Sequence, residues 1–337
     1  MAYGDHAMGY GHVVRSLALA DSFRKRARSS KVFFITRPDR QTEKMLRSKN
    51  VSSKKVKAGE EQRSLPRFLD RFQPDVTVVD RLRTGRTWME KIRRRTRLLV
   101  TLDNVGNGRL LADLVVNVLY RAKTPKSFAG TVWENPEYLV VRPEFLQTRK
   151  QKKGVPAQKG MSVLLAQGGS DTFGMTPRIL KALLPLPKQV RLKVLLGPGY
   201  RHEAELERVL SRAKRPVEVS RSVTRMPSFL EKVDVAVTGA GVFLYELACL
   251  GIPSLVVTGE KRELETAKRC AWFGFTRCLG LGQSLSDRVI LKSVQNLLWD
   301  ARLRRKMGNA GQNAVDGRGA ERIVRWVLER KEKLCVS

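Results

Sequence analysis

Short runs of apolar and β-branched residues alternate with longer segments of helical periodicity along the whole chain, and this alternation restricts the possible folds more than any other feature. In the first half the runs are VFFIT (32–36), VTVVD (76–80), LLVTLD (98–103), LVVNV (114–118) and YLVV (138–141). Amphipathic segments such as GHVVRSLALADSFRKRA separate them. Strands that are apolar at successive positions are typical of parallel sheets covered by helices on both faces. We therefore predict a doubly wound α/β domain.

The alternation stops at QTRKQKKGVPAQKG, a basic segment containing Gly and Pro, and then resumes. The runs SVLLAQ (162–167), RLKVLLG (191–197), VEVS (217–220), VAVTG (235–239) and SLVVTG (254–259) predict a second α/β domain. We expect an N-terminal Rossmann-like domain over residues 1–147, a linker over 148–160 and a C-terminal domain over 161–337. The last helical segment is a candidate to pack back on the first domain. Two such domains facing each other would form a cleft at the carboxyl ends of their strands, where open α/β folds bind ligands.

The net charge is strongly positive, because 65 Lys and Arg stand against 32 Asp and Glu and give +33. Such a charge favours anionic partners, including nucleic acid, a lipid surface or a phosphorylated metabolite. No zinc-finger spacing, RNP strand or bZIP seam is present, so no specific nucleic acid is expected. Two interpretations remain open, namely weak association with an anionic membrane surface and ordinary solvated basic faces.

Localisation and cofactors can also be predicted. No apolar run approaches the roughly 18 residues of a membrane-spanning helix, and the N-terminus lacks the layout of a signal peptide, so we expect a cytoplasmic protein. The four cysteines are far apart and are expected to be reduced. Because the three histidines are isolated and no DxD pair occurs, neither a metal nor another cofactor is expected.

Three glycine-rich turns stand at predicted strand-to-helix junctions: GYGH (9–12), QGGSD (167–171) and GAG (239–241). Backbone N–H groups and the helix dipole converge at such turns, which makes them candidate anion sites. None is a Walker A or GxGxxG motif, so ATPases and dinucleotide-binding proteins are disfavoured. Glu246 falls about two turns into the helix after the third turn. A carboxylate there can accept hydrogen bonds from a ribose diol while the turn holds phosphates.

The string GYGHVVRSLALAD resembles the N-terminal motif of the PseG/SpsG family of nucleotide-sugar enzymes, which is related to MurG and has the GT-B architecture. Further similar motifs follow in order: VVDRLRT (78–84), LDNVGNGRLLADLVVNVLY (102–120), EYLVVRPEF (137–145), LAQGGSD (165–171), LLGPGY (195–200), RMPSFLEKVDVAVTGAG (225–241) and YELACLGIPSLVV (245–257). The middle stretches are most similar to the SpsG branch, which is linked to spore-coat and surface polysaccharides. The PseG branch hydrolyses a UDP-activated sugar on the way to pseudaminic acid.

The resemblance implies a role for each matching residue. His12 would act as the base on water at the anomeric carbon, since an imidazole can take a proton near neutral pH; His6 and His202 have weaker claims. The implied sugar or cleft residues are Gly9, Gly11, Arg15, Asp80, Asp103 and Arg142, the last three on the N-terminal side of the cleft. The implied nucleotide-binding residues are Gly168, Gly169, Ser170, Arg225, Met226, Gly239, Ala240, Gly241 and Glu246, with the backbone at Arg225 and Met226 next to the uracil.

Several positions depart from the family pattern. Arg81 and Leu82 follow Asp80 where PseG-type members have His-Tyr, and Val242 and Phe243 replace a small hydroxyl residue. Only MAYGDHAM precedes the first turn where the family has a full β-strand, so we expect either that this strand is short or that the start codon lies upstream. Three functions stay open: a UDP-sugar hydrolase, which we expect first, a GT-B glycosyltransferase, and a non-catalytic binder of UDP-sugars or polyanions.

Overall fold

A computed structural model describes residues 10–151, 161–221, 223 and 225–336. Packing divides the described chain into two units, one formed by residues 10–141 and 318–336 and the other by residues 142–317. The first division therefore follows residue 141, earlier than the linker expected at 148–160. The reason is a helix over Pro143–Gln151 that packs on helices of the second unit. Residues 152–160 of the expected linker lie outside the described residues.

The first unit is built from six parallel strands and five helices among its described residues. In chain order they are α1 (Gly11–Arg26), β1 (Phe33–Thr36), α2 (Arg40–Ser48), β2 (Ser52–Lys55), α3 (Glu61–Phe72), β3 (Val76–Asp80), α4 (Arg86–Arg93), β4 (Leu98–Leu102), β5 (Leu114–Val116), β6 (Thr131–Trp133) and, from the end of the chain, α13 (Gly319–Val336). Short 3₁₀ turns occupy Asn107–Leu111 and Pro136–Tyr138. Helix α13 packs on α1, and both belong to this unit.

The strands of the first unit form two parallel sheets. One sheet has the order β1-β2 and the other the order β3-β4-β5-β6. Alternate residues of β1 point to opposite faces, because side chains alternate along a strand. Phe34 packs with Val13 and Leu17 of α1, whereas Ile35 packs with Leu69 of α3. Helices α1 and α3 therefore cover opposite faces of β1.

The second unit contains one six-stranded parallel sheet and eight helices in its described part. They are α5 (Pro143–Gln151), β7 (Ser162–Ala166), α6 (Met175–Leu183), β8 (Arg191–Leu196), α7 (Glu203–Ser211), β9 (Val217–Arg221), α8 (Met226–Leu230), β10 (Val235–Thr238), α9 (Val242–Cys249), β11 (Ser254–Thr258), α10 (Lys261–Trp272), β12 (Thr276–Leu281), α11 (Asp287–Trp299) and α12 (Ala301–Ala314). The strand order is β12-β11-β10-β7-β8-β9. The order reverses between β7 and β10, and ligands bind at such switch points in open α/β sheets.

One predicted strand is wrong, and three observed strands were not predicted. Residues 138–141 form the end of a 3₁₀ turn followed by irregular chain, although Leu139, Val140 and Val141 are each only 3% exposed. The apolar run therefore reflects burial rather than strand pairing. Strands β2, β6 and β12 lack a continuous buried run, β2 being the polar sequence SSKK, so the pattern used for the prediction misses them.

Candidate active site

In the first unit, helix α1 and the ends of two neighbouring strands bring charged side chains together. His12, Arg15 and Ser16 lie within one turn of α1, three and four residues apart, and so share a face. Asp80 is the last residue of β3, and Asp103 follows β4 directly. Because β3 and β4 are parallel neighbours, their carboxyl ends place the two carboxylates at the same edge of the sheet.

Asp80 is the centre of this cluster and accepts hydrogen bonds from three side chains of α1. His12 Nδ1 lies 2.5 Å from Asp80 Oδ1, and Arg15 Nε donates to Asp80 Oδ2 at 2.6 Å. Ser16 Oγ donates to the same Oδ2 at 3.2 Å. Arg15 also donates through Nη2 to Asp80 Oδ1 and through Nη1 to Asp103 Oδ2. The guanidinium therefore bridges the two carboxylates.

Burial makes these charges interact strongly, since Asp80 and Arg15 are almost completely removed from solvent. Burial alone would raise the pKa of the Asp80 carboxyl, but the charge of Arg15 and the hydrogen bonds from Arg15 and His12 outweigh it and hold that pKa well below its usual range. Burial alone would lower the pKa of Arg15, but Asp80 and Asp103 outweigh it and raise that pKa. Asp80 is therefore an ionised carboxylate that can only accept hydrogen bonds.

This carboxylate determines which nitrogen of His12 carries the proton in the neutral ring. Nδ1 must donate to Asp80, so Nε2 keeps its free lone pair. Arg15 Nη2 lies 3.1 Å from the same Nδ1, but an N–H cannot donate to a protonated nitrogen, and the shorter contact to Asp80 decides the assignment. The His12 side chain is 14% exposed. A buried carboxylate therefore orients the imidazole ring of His12.

Asp103 has an unusual backbone conformation that fixes its carboxylate. Its φ is 45°, in the left-handed region that Asp tolerates better than most residues. Its own N–H donates to Val116 O at 2.8 Å, and its Oδ1 accepts from Leu119 N at 2.6 Å. The loop after β5 therefore holds Asp103 in reach of Arg15, a contact that sequence spacing does not predict.

In the second unit, two glycine turns lie side by side at the switch point of the sheet. Ala166 of β7 pairs with Thr238 of β10, so the residues after these strands leave adjacent positions at the same edge. Gly168 has φ +78°, a conformation that favours glycine. Gly169 O accepts from Gly199 N at 2.8 Å, which ties this turn to the loop after β8.

The QGGSD turn does not open a helix directly, contrary to the prediction. Helix α6 begins only at Met175, and the Asp171 carboxylate accepts from the N–H groups of Met175 and Thr176, each at 2.8 Å. A side-chain carboxylate already satisfies these N–H groups, so no anion site forms at this helix N-terminus. Burial raises the pKa of Asp171 despite these hydrogen bonds. Ser170 contacts Thr172 instead, with 3.1 Å between their hydroxyl oxygens.

The GAG turn leads straight into α9 and leaves its N-terminus without a side-chain cap. Gly241 is the capping residue, and beyond its chain neighbours no heavy atom lies within 4 Å of the position that a Cβ would take there. Gly239 lies next to Gln167, with 3.3 Å between its Cβ position and Gln167 Oε1. Gln167 Nε2 is a buried donor without a hydrogen-bond partner, a feature the sequence analysis missed. A helix N-terminus without a side-chain cap is a candidate anion site.

Glu246 is buried and forms a two-bond ion pair with Arg142 within the second unit. Arg142 Nε donates to Oε1 at 2.7 Å and Nη2 to Oε2 at 2.8 Å. Burial lowers the pKa of Arg142, but Glu246 outweighs this and raises it. Arg142 also contacts Glu144, at 3.3 Å between Nη1 and Oε1. Arg142 was expected on the N-terminal side with Asp80 and Asp103, but packing assigns it to the second unit because it precedes α5.

The remaining predicted residues have less defined surroundings. Gly9, like His6, lies outside the described residues, whereas Gly11 is the first residue of α1. Arg225 precedes α8 and is exposed, and Met226 begins that helix. His202 precedes α7, where its ring packs edge-on against Tyr200. Ser16 was not predicted, although its position four residues after His12 on an amphipathic helix was a usable signal.

Comparison with solved structures identifies the class of fold. The structure of MurG from Acinetobacter baumannii matches with a TM-score of 0.69 and 14% identity over 98% of each chain. UDP-GlcNAc 2-epimerase from Neisseria meningitidis, solved with UDP-GlcNAc bound, matches with a TM-score of 0.66 and 14% identity over 97% of this chain and 98% of its own. The chain therefore has the predicted GT-B fold, with two Rossmann-like α/β units.

Sequence comparison identifies relatives. The chain is 25% identical to the spore coat polysaccharide biosynthesis protein SpsG of Bacillus subtilis, over 96% of this chain and 95% of SpsG. It is 28% identical to an uncharacterized protein of Methanocaldococcus jannaschii over 78% of this chain, and this match spans 55% of that relative's length. No known family profile matches the sequence. The chain is a homologue of SpsG with the fold of MurG, which confirms the resemblance inferred from the motifs.

Proposed function

We propose that this chain is a nucleotide-sugar enzyme of surface-polysaccharide or nonulosonate biosynthesis that hydrolyses a UDP-sugar at its anomeric carbon. The observation that carries the proposal is His12, whose Nδ1 is held by the buried Asp80 so that Nε2 can act as a base. The homology to SpsG supports the assignment to polysaccharide biosynthesis. The likeness to an epimerase solved with UDP-GlcNAc supports a UDP-sugar as substrate.

The proposed reaction is a displacement by water. His12 Nε2 takes a proton from water, and the water oxygen forms a bond to the anomeric carbon. The bond between that carbon and the phosphate oxygen breaks, and UDP leaves with the electron pair. Asp80 stabilises the imidazolium that forms, and Arg15 keeps Asp80 ionised and correctly oriented. The reaction needs no cofactor.

The second unit would hold the nucleotide. The N–H groups of the turn Gly239, Ala240 and Gly241, together with the N-terminus of α9 that has no side-chain cap, would bind the diphosphate and stabilise the charge on the departing UDP. Gly168, Gly169 and Ser170, next to this turn, would line the same site, and the backbone at Arg225 and Met226 would contact the uracil. Each Glu246 oxygen accepts one bond from Arg142 and retains a lone pair for a ribose hydroxyl.

One assay distinguishes hydrolysis from glycosyl transfer. The purified chain is incubated with a panel of UDP-sugars, and UDP release is followed with and without candidate acceptors. Release in water alone, with a stoichiometric amount of free sugar, is the expected result. Release only with an acceptor would instead favour a GT-B glycosyltransferase, because a histidine base can equally deprotonate an acceptor hydroxyl. Binding of UDP without turnover in either condition would favour the non-catalytic binder.

Replacing Glu246 by glutamine is expected to weaken UDP binding. The amide can accept at only one atom, so Arg142 and a ribose hydroxyl would compete for it. Hydrogen bonds to charged groups contribute about 1.5–3 kcal/mol, which corresponds to a rise in Kd of about 10- to 100-fold in titration calorimetry. The matched control is Glu144→Gln, which removes the more exposed partner of the same arginine. Equal Kd values for both variants would contradict the ribose role.

The basic surface leads to a separate proposal, weak association with an anionic membrane surface. None of the helices in the described ranges is long and apolar enough to cross a membrane. Trp272, 81% exposed, follows Lys268 by one turn of α10 and is a candidate to insert at the interface. We expect sedimentation with vesicles containing phosphatidylserine, but not with neutral vesicles, at about 150 mM salt. Equal recovery with both vesicle types would contradict it.

A further inference from the structure

An exposed aromatic side chain, Phe173, lies beside the glycine turns of the second unit. It belongs to the loop between β7 and α6 and is 40% exposed. Its side chain packs on the backbone of Gly259, the residue directly after β11, and fills the space that a Cβ at this glycine would take. Single exposed apolar residues are common on protein surfaces, but this one stands at the carboxyl edge of the sheet, where open α/β folds bind ligands.

Hydrogen bonds on both sides of the contact hold the Phe173 ring in place. Gly174 N donates to Asp171 O at 2.9 Å and closes a turn around Phe173. The Asp171 carboxylate also accepts from two N–H groups at the start of α6. On the other side, Gly259 N donates to Glu263 Oε2 of α10 at 3.0 Å. An aromatic ring that is already fixed loses little conformational entropy when a ligand packs on it.

The strand order indicates which part of a UDP-sugar would reach this ring. The proposed function assigns the uracil to the chain after β9 and the diphosphate to the GAG turn after β10. Strand β11 is the neighbour of β10 on the side away from β9. In a UDP-sugar the diphosphate connects the nucleoside to the sugar. A nucleoside on the β9 side of the diphosphate therefore directs the sugar towards the end of β11, where Phe173 packs on Gly259.

The chemistry of phenylalanine determines which sugars such a ring would favour. The face of an aromatic ring carries partial negative charge. Sugar C–H groups carry partial positive charge, because the neighbouring oxygens withdraw electrons from them. In a galactose-type hexose, the axial 4-hydroxyl lies on one face of the ring and leaves an apolar patch of C–H groups on the other. A glucose-type hexose, with an equatorial 4-hydroxyl, has no comparable patch.

We propose that Phe173 is a specificity-determining residue that stacks on the apolar face of a galactose-type sugar carried by UDP. The proposal rests on the proposed function, because the positions of uracil and diphosphate are taken from it. It goes further by naming the class of sugar and a residue that recognises it. Phe173 would contact the sugar alone, so its contribution should be absent from the binding of UDP.

Titration calorimetry with UDP, UDP-galactose and UDP-glucose tests this role. The parent protein carries His12→Gln, so that no probe is hydrolysed during the titration. We expect it to bind UDP-galactose more tightly than UDP-glucose. Adding Phe173→Ala should raise the Kd of UDP-galactose by about 5- to 10-fold and leave that of UDP unchanged. Phe173→Trp should retain tight binding of UDP-galactose, since it keeps an aromatic face.

A matched control and a displaced ring complete the test. Trp299→Ala removes another exposed aromatic side chain of the second unit, at the end of α11, and should change neither Kd. Gly259→Ala keeps the Phe173 ring but displaces it, because the added Cβ takes its space. Once circular dichroism confirms that it folds, this variant should bind UDP-galactose as weakly as Phe173→Ala and UDP as tightly as the parent.

The proposal would be overturned if the parent does not prefer UDP-galactose to UDP-glucose. It would also be overturned if Phe173→Ala leaves the Kd of UDP-galactose unchanged or raises the Kd of UDP by the same factor. Failure of the proposed hydrolysis has a different readout, the absence of UDP release by the wild-type chain in water. The titrations require no turnover, so the two failures are distinguishable.

Discussion

Replacement of His12 by glutamine is expected to lower kcat/KM for UDP release by about 10²- to 10⁴-fold, the usual contribution of a general base. Glutamine keeps the size and a hydrogen bond to Asp80 but cannot take a proton from water. The effect should appear in kcat with little change in KM, because the histidine acts on the attacking water rather than on the bound nucleotide. The measurement is a steady-state assay of UDP release with the best substrate of the panel.

The control for this variant is His202→Gln, which changes a histidine of the second unit that packs against Tyr200. It should retain full activity. A companion variant, Asp80→Asn, should also lose activity, because an amide no longer dictates which nitrogen of His12 carries the proton. Normal turnover by His12→Gln would remove His12 from the mechanism and leave the nucleotide site of the second unit as a separate question.

The largest stability effect is expected from Arg15→Met. The substitution leaves Asp80 and Asp103 buried without their shared cation, and breaking a buried ion pair in this way costs about 3–5 kcal/mol. Urea unfolding followed by circular dichroism measures the loss. The matched control is Arg26→Met on the same helix, whose partner Glu321 is half-exposed and whose effect should stay below about 1 kcal/mol. Equal losses for the two variants would contradict the buried cluster.

The pH dependence of this loss follows from the depressed pKa of Asp80. A carboxyl with a lower pKa in the folded state contributes stability above the pKa of the unfolded chain, about 3.9, and the contribution is lost as the pH falls through the folded pKa. Without Arg15, burial would raise the pKa of Asp80 instead. The difference in unfolding free energy between wild type and Arg15→Met should therefore be largest near neutral pH and shrink in acid. A constant difference would argue against Asp80 as the cause.

The architecture was predictable because it depends on patterns that are local in sequence. Buried parallel strands require continuous apolar runs, and crossover helices require helical periodicity, so β3, β7 and β10 could be located closely. This reasoning fails at residues 138–141, which are apolar but do not form the predicted strand. An apolar run reports burial, and only the neighbouring chain decides whether a buried segment pairs as a strand.

The individual residues of the candidate site were predictable, but the contacts between them were not. The glycine turns and His12 stand out in the sequence, and the family resemblance implied Asp80, Asp103 and Glu246. The partners of these residues depend on contacts between positions far apart in the chain. Arg142 and Glu246 are 104 residues apart, and Arg15 and Asp103 are 88 apart. No spacing rule predicts such pairs.

The sequence by itself determined the alternating α/β fold, the glycine turns and the presence of a histidine at the start of the first helix, because these follow from local propensity and hydrophobic period. Only the tertiary structure decided which helix N-termini accept no hydrogen-bonding side chain. Asp171 closes that of α6, whereas that of α9 has no side-chain cap. The tertiary structure also decided the state of His12, since burial of Asp80 beside Arg15 keeps that carboxylate ionised and directs the proton of the imidazole to Nδ1.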